Sequence, residues 1–179
     1  MDIVLSPDPV LKQECEDVSP SELREMKKLA KQMAKTMYDS SGCGLAAPQV
    51  GITKKIIVID CNQDGKKKPT CLINPEILET AGEPVTECEG CLSIPGISLP
   101  ITRPEDITVR YMNLKGEEIT HHATGFEARC IQHECDHLHG VTMFEHLSLM
   151  DRIKAFQEYE AALAAGAKPG DVSVEEIAE

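Results

Sequence analysis

The sequence predicts an α+β fold: mostly antiparallel strands around a central helix, with further helices near the N- and C-terminal ends. Three observations carry this expectation. A well-capped amphipathic segment opens the chain, segments of β-like composition follow, and helical spacing returns after Gly125 and again after Ser148.

The first helix has clear start and stop signals. Ser19 suits its cap, Pro20 its first position, and Glu22 completes a capping box. Leu23, Met26, Ala30, Met33 and Met37 then recur at helical spacing, and Gly42 supplies the stop. Residues 55–61 (KIIVIDC) read as a largely buried strand, and residues 70–74 as a strand ended by Pro75. Residues 83–88, 106–113 and 117–123 complete the β-like set, with a hairpin turn from Asn113 to Gly116 joining the last two. Residues 125–138 read as a helix with Phe126, Cys130, His133 and His137 on one face, ended by Gly140. Ser148 can cap a last helix whose apolar stripe is Leu149, Ile153, Phe156 and Leu163. Residues 1–164 form one expected domain. Residues 165–179, rich in Gly, Pro and acids, form an expected flexible tail.

Composition narrows the function classes. A chain of 179 residues can bury roughly 70% of its unfolded surface and folds without staples. There is no Trp and only 3% aromatics, so the core rests on Ile, Leu, Val, Met and Ala. A net charge of -12 argues against DNA binding. The three consecutive lysines from Lys66 to Lys68 read as a solvated hairpin tip. The start carries no basic and apolar leader, and no apolar run approaches the ~20 residues that cross a membrane. The expected location is therefore the cytoplasm, where the eight cysteines stay reduced.

The segment His133-Glu134-Cys135-Asp136-His137 is an HExxH sequence. On a helix, residues four apart share a face, so both imidazoles can reach one cation. Glu134 follows the first ligand, where its carboxylate can meet a water. The bland alternative is two surface histidines flanking an ordinary Glu. Two imidazoles do not complete a site, so the third donor sets the class. An HExxHxxGxxH pattern fails, because its last position is Met143. Glu158 and Glu160 lie downstream on a charged stretch that reads better as a solvated face. Cys88-Glu89-Gly90-Cys91 remains, and a thiolate suits a borderline-soft metal. A closed Cys2His2 zinc site has the wrong spacing and gives Glu134 no role. A redox CxxC lacks the surrounding βαβ pattern. One of the two cysteines is thus expected to be a ligand and the other a bystander.

Three segments together resemble the peptide deformylase family. Residues 42–49 (GCGLAAPQ) are similar to its GxGLAAxQ, residues 89–93 (EGCLS) to its EGCLS, and residues 132–137 (QHECDH) to its QHExDH. The start, SPDPVL at residues 6–11, is also similar, and the resemblance extends to about Arg152. It implies removal of the N-formyl group from the methionine of newly made polypeptides. Matched by position, Cys91, His133 and His137 would hold one divalent ion per chain. The family commonly uses Fe2+ and accepts Ni2+ or Co2+, while the donor types also suit Zn2+. Such an ion can lower the pKa of water from ~15.7 toward ~7. Glu134 would move the proton, and the Gln49 amide and the Leu92 backbone N–H would meet the developing oxyanion.

The resemblance also implies a peptide added as a strand between the Gly44 and Gly90 segments, with the methionine side chain in an apolar pocket. Phe126, Arg129 and Cys130 would wall that pocket, Arg129 by its stem with its head in water. Glu89 and Arg103 would pair behind the site. Gly44 would let backbone approach the ligand closely. Cys43 departs from the family pattern, which often has an aliphatic residue there. Cys135, His139, His121 and His122 are misplaced for ligation. In some members the final helix docks on the ribosome through basic residues. Here that helix carries Glu158 and Glu160, which argues against the same contact.

Overall fold

The capping residues begin the first helix as their chemistry requires. In the computed structural model, which describes residues 1–173, the Ser19 N–H donates to Glu22 Oε2 at 2.8 Å. After a single 3-10 turn, helix α1 runs Leu23–Asp39. It buries Met26, Leu29, Ala30, Met33, Ala34 and Met37.

Five strands form one antiparallel sheet in sequence order: β1 Gly44–Ala46, β2 Ile56–Ile59, β3 Thr70–Cys91, β4 Ile94–Met112 and β5 Glu118–Thr124. Helix α2, Gly125–Leu138, and helix α3, Leu149–Ala164, follow. The unbroken apolar run of β2 is explained by burial on both faces. Ile56 and Val58 pack with α1, Leu45, Ala47 and Ile73. Ile57 and Ile59 face the other way, into Leu72, Ile107 and Val109 with Ala128, Ile131 and Leu138 of α2. A third cluster joins Ile94, Ile97, Leu99 and Ile101 of β4 to Phe144 and to Ala155, Tyr159 and Ala162 of α3.

Several expectations are corrected. Pro75 does not end its strand: β3 passes through it, with a register shift between Ile73 and Glu76 and Asn74 at φ 49°. A bulge tolerates the missing N–H, so the two short strands expected at 70–74 and 83–88 are one. β4 is longer than expected for the same reason, as it carries Pro95, Pro100 and Pro104. The three-residue β1 escaped sequence reading because its Gly and Ala residues lack β-like character. The stripe expected on α3 is only half right. Leu149 is 71% exposed and Ile153 46%, whereas Ala155, Tyr159 and Ala162 are buried, with Phe156 and Leu163 partly so. Tyr159 is held inside because its hydroxyl donates to Ser6 O at 2.8 Å.

The described part of the expected tail contacts the body of the fold. Ala167 is buried against the third cluster. The Gly96 N–H donates to Asp171 O at 2.7 Å, and Ser98 Oγ donates to Val172 O at 2.9 Å. Its glycines make turns that bring the chain back onto β4. Residues 174–179 of that expectation lie outside the described residues.

Candidate metal centre and active site

Two elements bring the three donors together. Cys91 ends β3, just past a register shift at Glu89/Cys91, while His133 and His137 stand one turn apart on α2. The Cys91 sulfur lies 3.4 Å from His137 Nε2, and one ligand atom from each of the three residues lies within 4.8 Å of the others. All three residues are buried. Among the described residues this is the one such trio of Cys, His, Asp or Glu. Cys88 is exposed and outside it, so a closed site with two cysteines is not built.

The imidazoles are set up to present lone pairs. His133 Nδ1–H donates to Glu89 Oε2 at 2.9 Å, which fixes the ring and turns Nε2 to the other side. Burial, then His133, push the His137 pKa down to about 3, so its ring is neutral. Burial, then Glu134, push the Cys91 thiol up to about 12. His137 Nδ1 and Glu134 Oε2 are buried polar atoms without a protein partner. A neutral His137 imidazole, a buried thiol and a carboxylate with an unpaired oxygen fit a bound cation, which inverts such shifts and deprotonates a coordinating thiol.

Glu89 is the hub behind the donors. Arg103 reaches it through Nε at 2.6 Å and Nη2 at 3.0 Å, and Arg129 Nη1 donates to it at 2.8 Å. Burial alone would raise its pKa, but the bonds from His133 and Arg103 win and hold it well below the usual carboxylate range. The expected Glu89–Arg103 pair is therefore present. The expected pose of Arg129 is not: its head is buried, donating to Ile101 O at 2.9 Å and Val85 O at 2.7 Å as well as to Glu89. Sequence reading missed that Arg103 also binds Asp136 at 2.9 Å, which in turn accepts from His146 at 2.7 Å. The hint was the Asp inside QHECDH, three residues after His133 and so beside it on the helix.

The Gln49 amide is held at both ends. Its Oε1 accepts from the Ala46 N–H at 2.9 Å, fixing the turn after β1. That bond aims Nε2 at Ser93 Oγ, 3.2 Å away, and at the Cys91 sulfur, 3.5 Å away. Ser93 was missed, although it closes the EGCLS segment. Gly44 is required by a side chain of the protein itself, since a Cβ there would sit 2.4 Å from Glu134 Oε1. Glu134 is thus pressed between α2 and β1. Burial first, then Cys43 and Glu89, raise its pKa well above the ordinary value.

A cleft of about 230 Å3 opens beside this constellation. Its walls include Cys43, Gly44, Gly90, Leu92, Phe126, Arg129 and Cys130, with His133 and Glu134 at its base. The Cys43 and Cys130 sulfurs are 4.0 Å apart. Leu92 packs on Gly42, where a Cβ would meet it at 2.7 Å. The misplaced groups are elsewhere: His121 pairs with Glu127, His139 with Glu14, and Cys135 packs in the core between α2 and the sheet.

An HExxH helix that shares one buried cluster with a strand-borne thiol, beside an open cleft, is a hydrolase-type site that could hold one metal ion. A family model described as polypeptide deformylase matches residues 1–153. A peptide deformylase of Hydrogenovibrio crunogenus is 46% identical, over 92% of this chain and 95% of its own. One from Agrobacterium fabrum is 40% identical, over 91% and 96%. The crystal structure of a peptide deformylase from Legionella pneumophila superposes with a TM-score of 0.84 at 34% identity, covering 91% of this chain and 95% of that one. One from Synechococcus elongatus, in complex with actinonin, gives 0.84 at 42% identity over 89% and 88%. The chain belongs to the peptide deformylase family.

Proposed function

We propose that this protein is a metal-dependent amide hydrolase that removes the formyl group from the N-terminal methionine of newly made polypeptides, releasing formate. Cys91, His133 and His137 would hold one divalent cation, ferrous iron by family resemblance, with zinc, nickel or cobalt also compatible with the donors. When bound, that cation supplies Lewis acidity that polarises the formyl carbonyl and acidifies water.

The chain's own groups do the rest. Among the described residues β1 is an edge strand of the sheet, so a peptide can lie along Gly44 and Leu45 as an added strand, opposite Gly90. Phe126, Cys130 and the Arg129 stem then flank the methionine side chain. Gln49 Nε2, held by its bond to the Ala46 N–H, and the Leu92 backbone N–H donate to the oxygen that gains charge as water adds to the formyl carbon. Glu134 accepts the proton of that water on a carboxylate oxygen. It returns the proton to the amine nitrogen as the C–N bond breaks, leaving formate and a free amino terminus.

One observation carries this reading: the buried Glu134 carboxylate packs beside a cluster of one thiol and two imidazoles, at the base of a cleft. No helix among the described residues is long and apolar enough to cross a membrane. Of the possible partners, a ribosomal contact through α3 has the least support, since that helix carries Glu158 and Glu160.

The test is formate release by anaerobically purified protein from formyl-Met-Ala-Ser, beside unformylated Met-Ala-Ser-Leu-Ala. Formate with no internal cleavage is expected. Cleavage of the second peptide without formate from the first would replace this reading with an endopeptidase.

A further inference from the structure

We propose that Gly170, Asp171 and Val172 form the far wall of the substrate cleft, and that Val172 selects the side chain two residues downstream of the formylated methionine. The inference rests on the deformylase reading and adds to it a specificity element outside the family match, which ends at residue 153.

The described end of the chain spans the cleft mouth. On one side Gly170 presses on the α1–β1 connection, so closely that a Cβ there would lie 2.5 Å from Ser40 O. Its φ of 107° is open to glycine and strained for other residues. On the other side Asp171 O and Val172 O are held by the Gly96 N–H and Ser98 Oγ of β4. Between these anchors the Val172 side chain meets Gly90, where a Cβ would come within 2.9 Å of its Cγ1. All three residues line the same cleft as Glu134 and His133.

Chain geometry fixes which part of a peptide they meet. Gly44 touches Glu134, and Ser40 lies four residues before it. Four residues of chain span at most about 14 Å, and an extended peptide advances about 3.4 Å per residue. A peptide with its first residue at Glu134 therefore reaches the Gly170 side of the wall within about four residues, and Val172 lies on the nearer side, against Gly90, one residue before Cys91, which assigns it to the third residue. The group waiting there is an apolar side chain on a segment anchored by two hydrogen bonds. A small apolar third residue is the side chain it accepts best.

The test compares metal-loaded unaltered protein with V172D, V172K and a chain ending at Pro169. The substrates are formyl-Met-amide, formyl-Met-Ala-Lys and formyl-Met-Ala-Asp. V172D and V172K should shift the Lys/Asp ratio of kcat/KM in opposite directions, about fivefold between them. Removal of residues 170–179 should flatten preference at that position. Formyl-Met-amide, which ends short of the wall, should react at rates within about twofold in all four proteins. An unchanged Lys/Asp ratio, or losses equal on the short and long substrates, would overturn the assignment. Failure of the unaltered protein on every formylated substrate would instead overturn the deformylase reading itself.

Discussion

Helices α2 and α3 have similar lengths and opposite logic. Helix α2 buries ten of its fourteen residues, among them Arg129, Gln132, His133, Glu134 and His137. Helix α3 buries Ala155, Tyr159 and Ala162 and leaves Leu149, Met150 and Ile153 on the surface. The usual rule of apolar inside and polar outside fails in both. In α2 the burial of charge is stabilised by a connected set of partners: Glu89 is shared by two guanidiniums and an imidazole, and Asp136 by Arg103 and His146. In α3 nothing comparable is at stake, and small residues with one tyrosine suffice to seat it on β4. Buried polar groups that are fully partnered specify one arrangement, whereas an apolar stripe specifies only roughly which side faces in.

The comparison can be broken at several points. The largest effect belongs to E134Q, expected to lower kcat by about 10^2- to 10^4-fold while metal content and thermal unfolding stay near those of the unaltered protein. Metal analysis beside a formate assay checks it. Chelation under anaerobic conditions should abolish turnover, and added Fe2+, Ni2+ or Co2+ should restore it, as formate assays before and after would report. G44A should be nearly as damaging locally. The new Cβ would displace Glu134, costing kcat together with about 1–3 kcal/mol of stability, readable in urea titration. R129M should lower metal affinity about tenfold in chelator competition, because Glu89 loses one of the groups that hold it against His133. On α3, M150Q should change stability by less than about 0.5 kcal/mol, since that side chain is 64% exposed. A large loss there would mean that α3 is packed against something, and the contrast with α2 would fail.

The contrast also explains what the sequence disclosed. Spacing alone placed His133 and His137 on one face, and the Ser19–Glu22 box marked the start of the first helix. Alternation along β3 puts Cys88 and Cys91 on opposite faces, but which face is buried beside the imidazoles depends on how β3 meets α2, and spacing does not give that. Only the resemblance pointed to Cys91. The buried head of Arg129 was illegible for a related reason. Its acceptors, Val85 O and Ile101 O, are backbone atoms more than 25 residues away, and no side-chain pattern announces them. Prolines misled the strand boundaries, since bulges in the long β3–β4 pair absorb them. The wall at Val172 was hidden by composition, because a run with Gly, Pro and acids reads as tail even where two hydrogen bonds dock it.

The central claim is that one thiolate and two imidazoles hold a single ion beside Glu134. X-ray absorption at the metal edge of the anaerobically purified protein tests it most directly. One sulfur and two imidazole nitrogens around the ion are expected in the unaltered protein and in E134Q, with the sulfur lost in C91S. Two sulfur neighbours, or a spectrum indifferent to C91S, would contradict it.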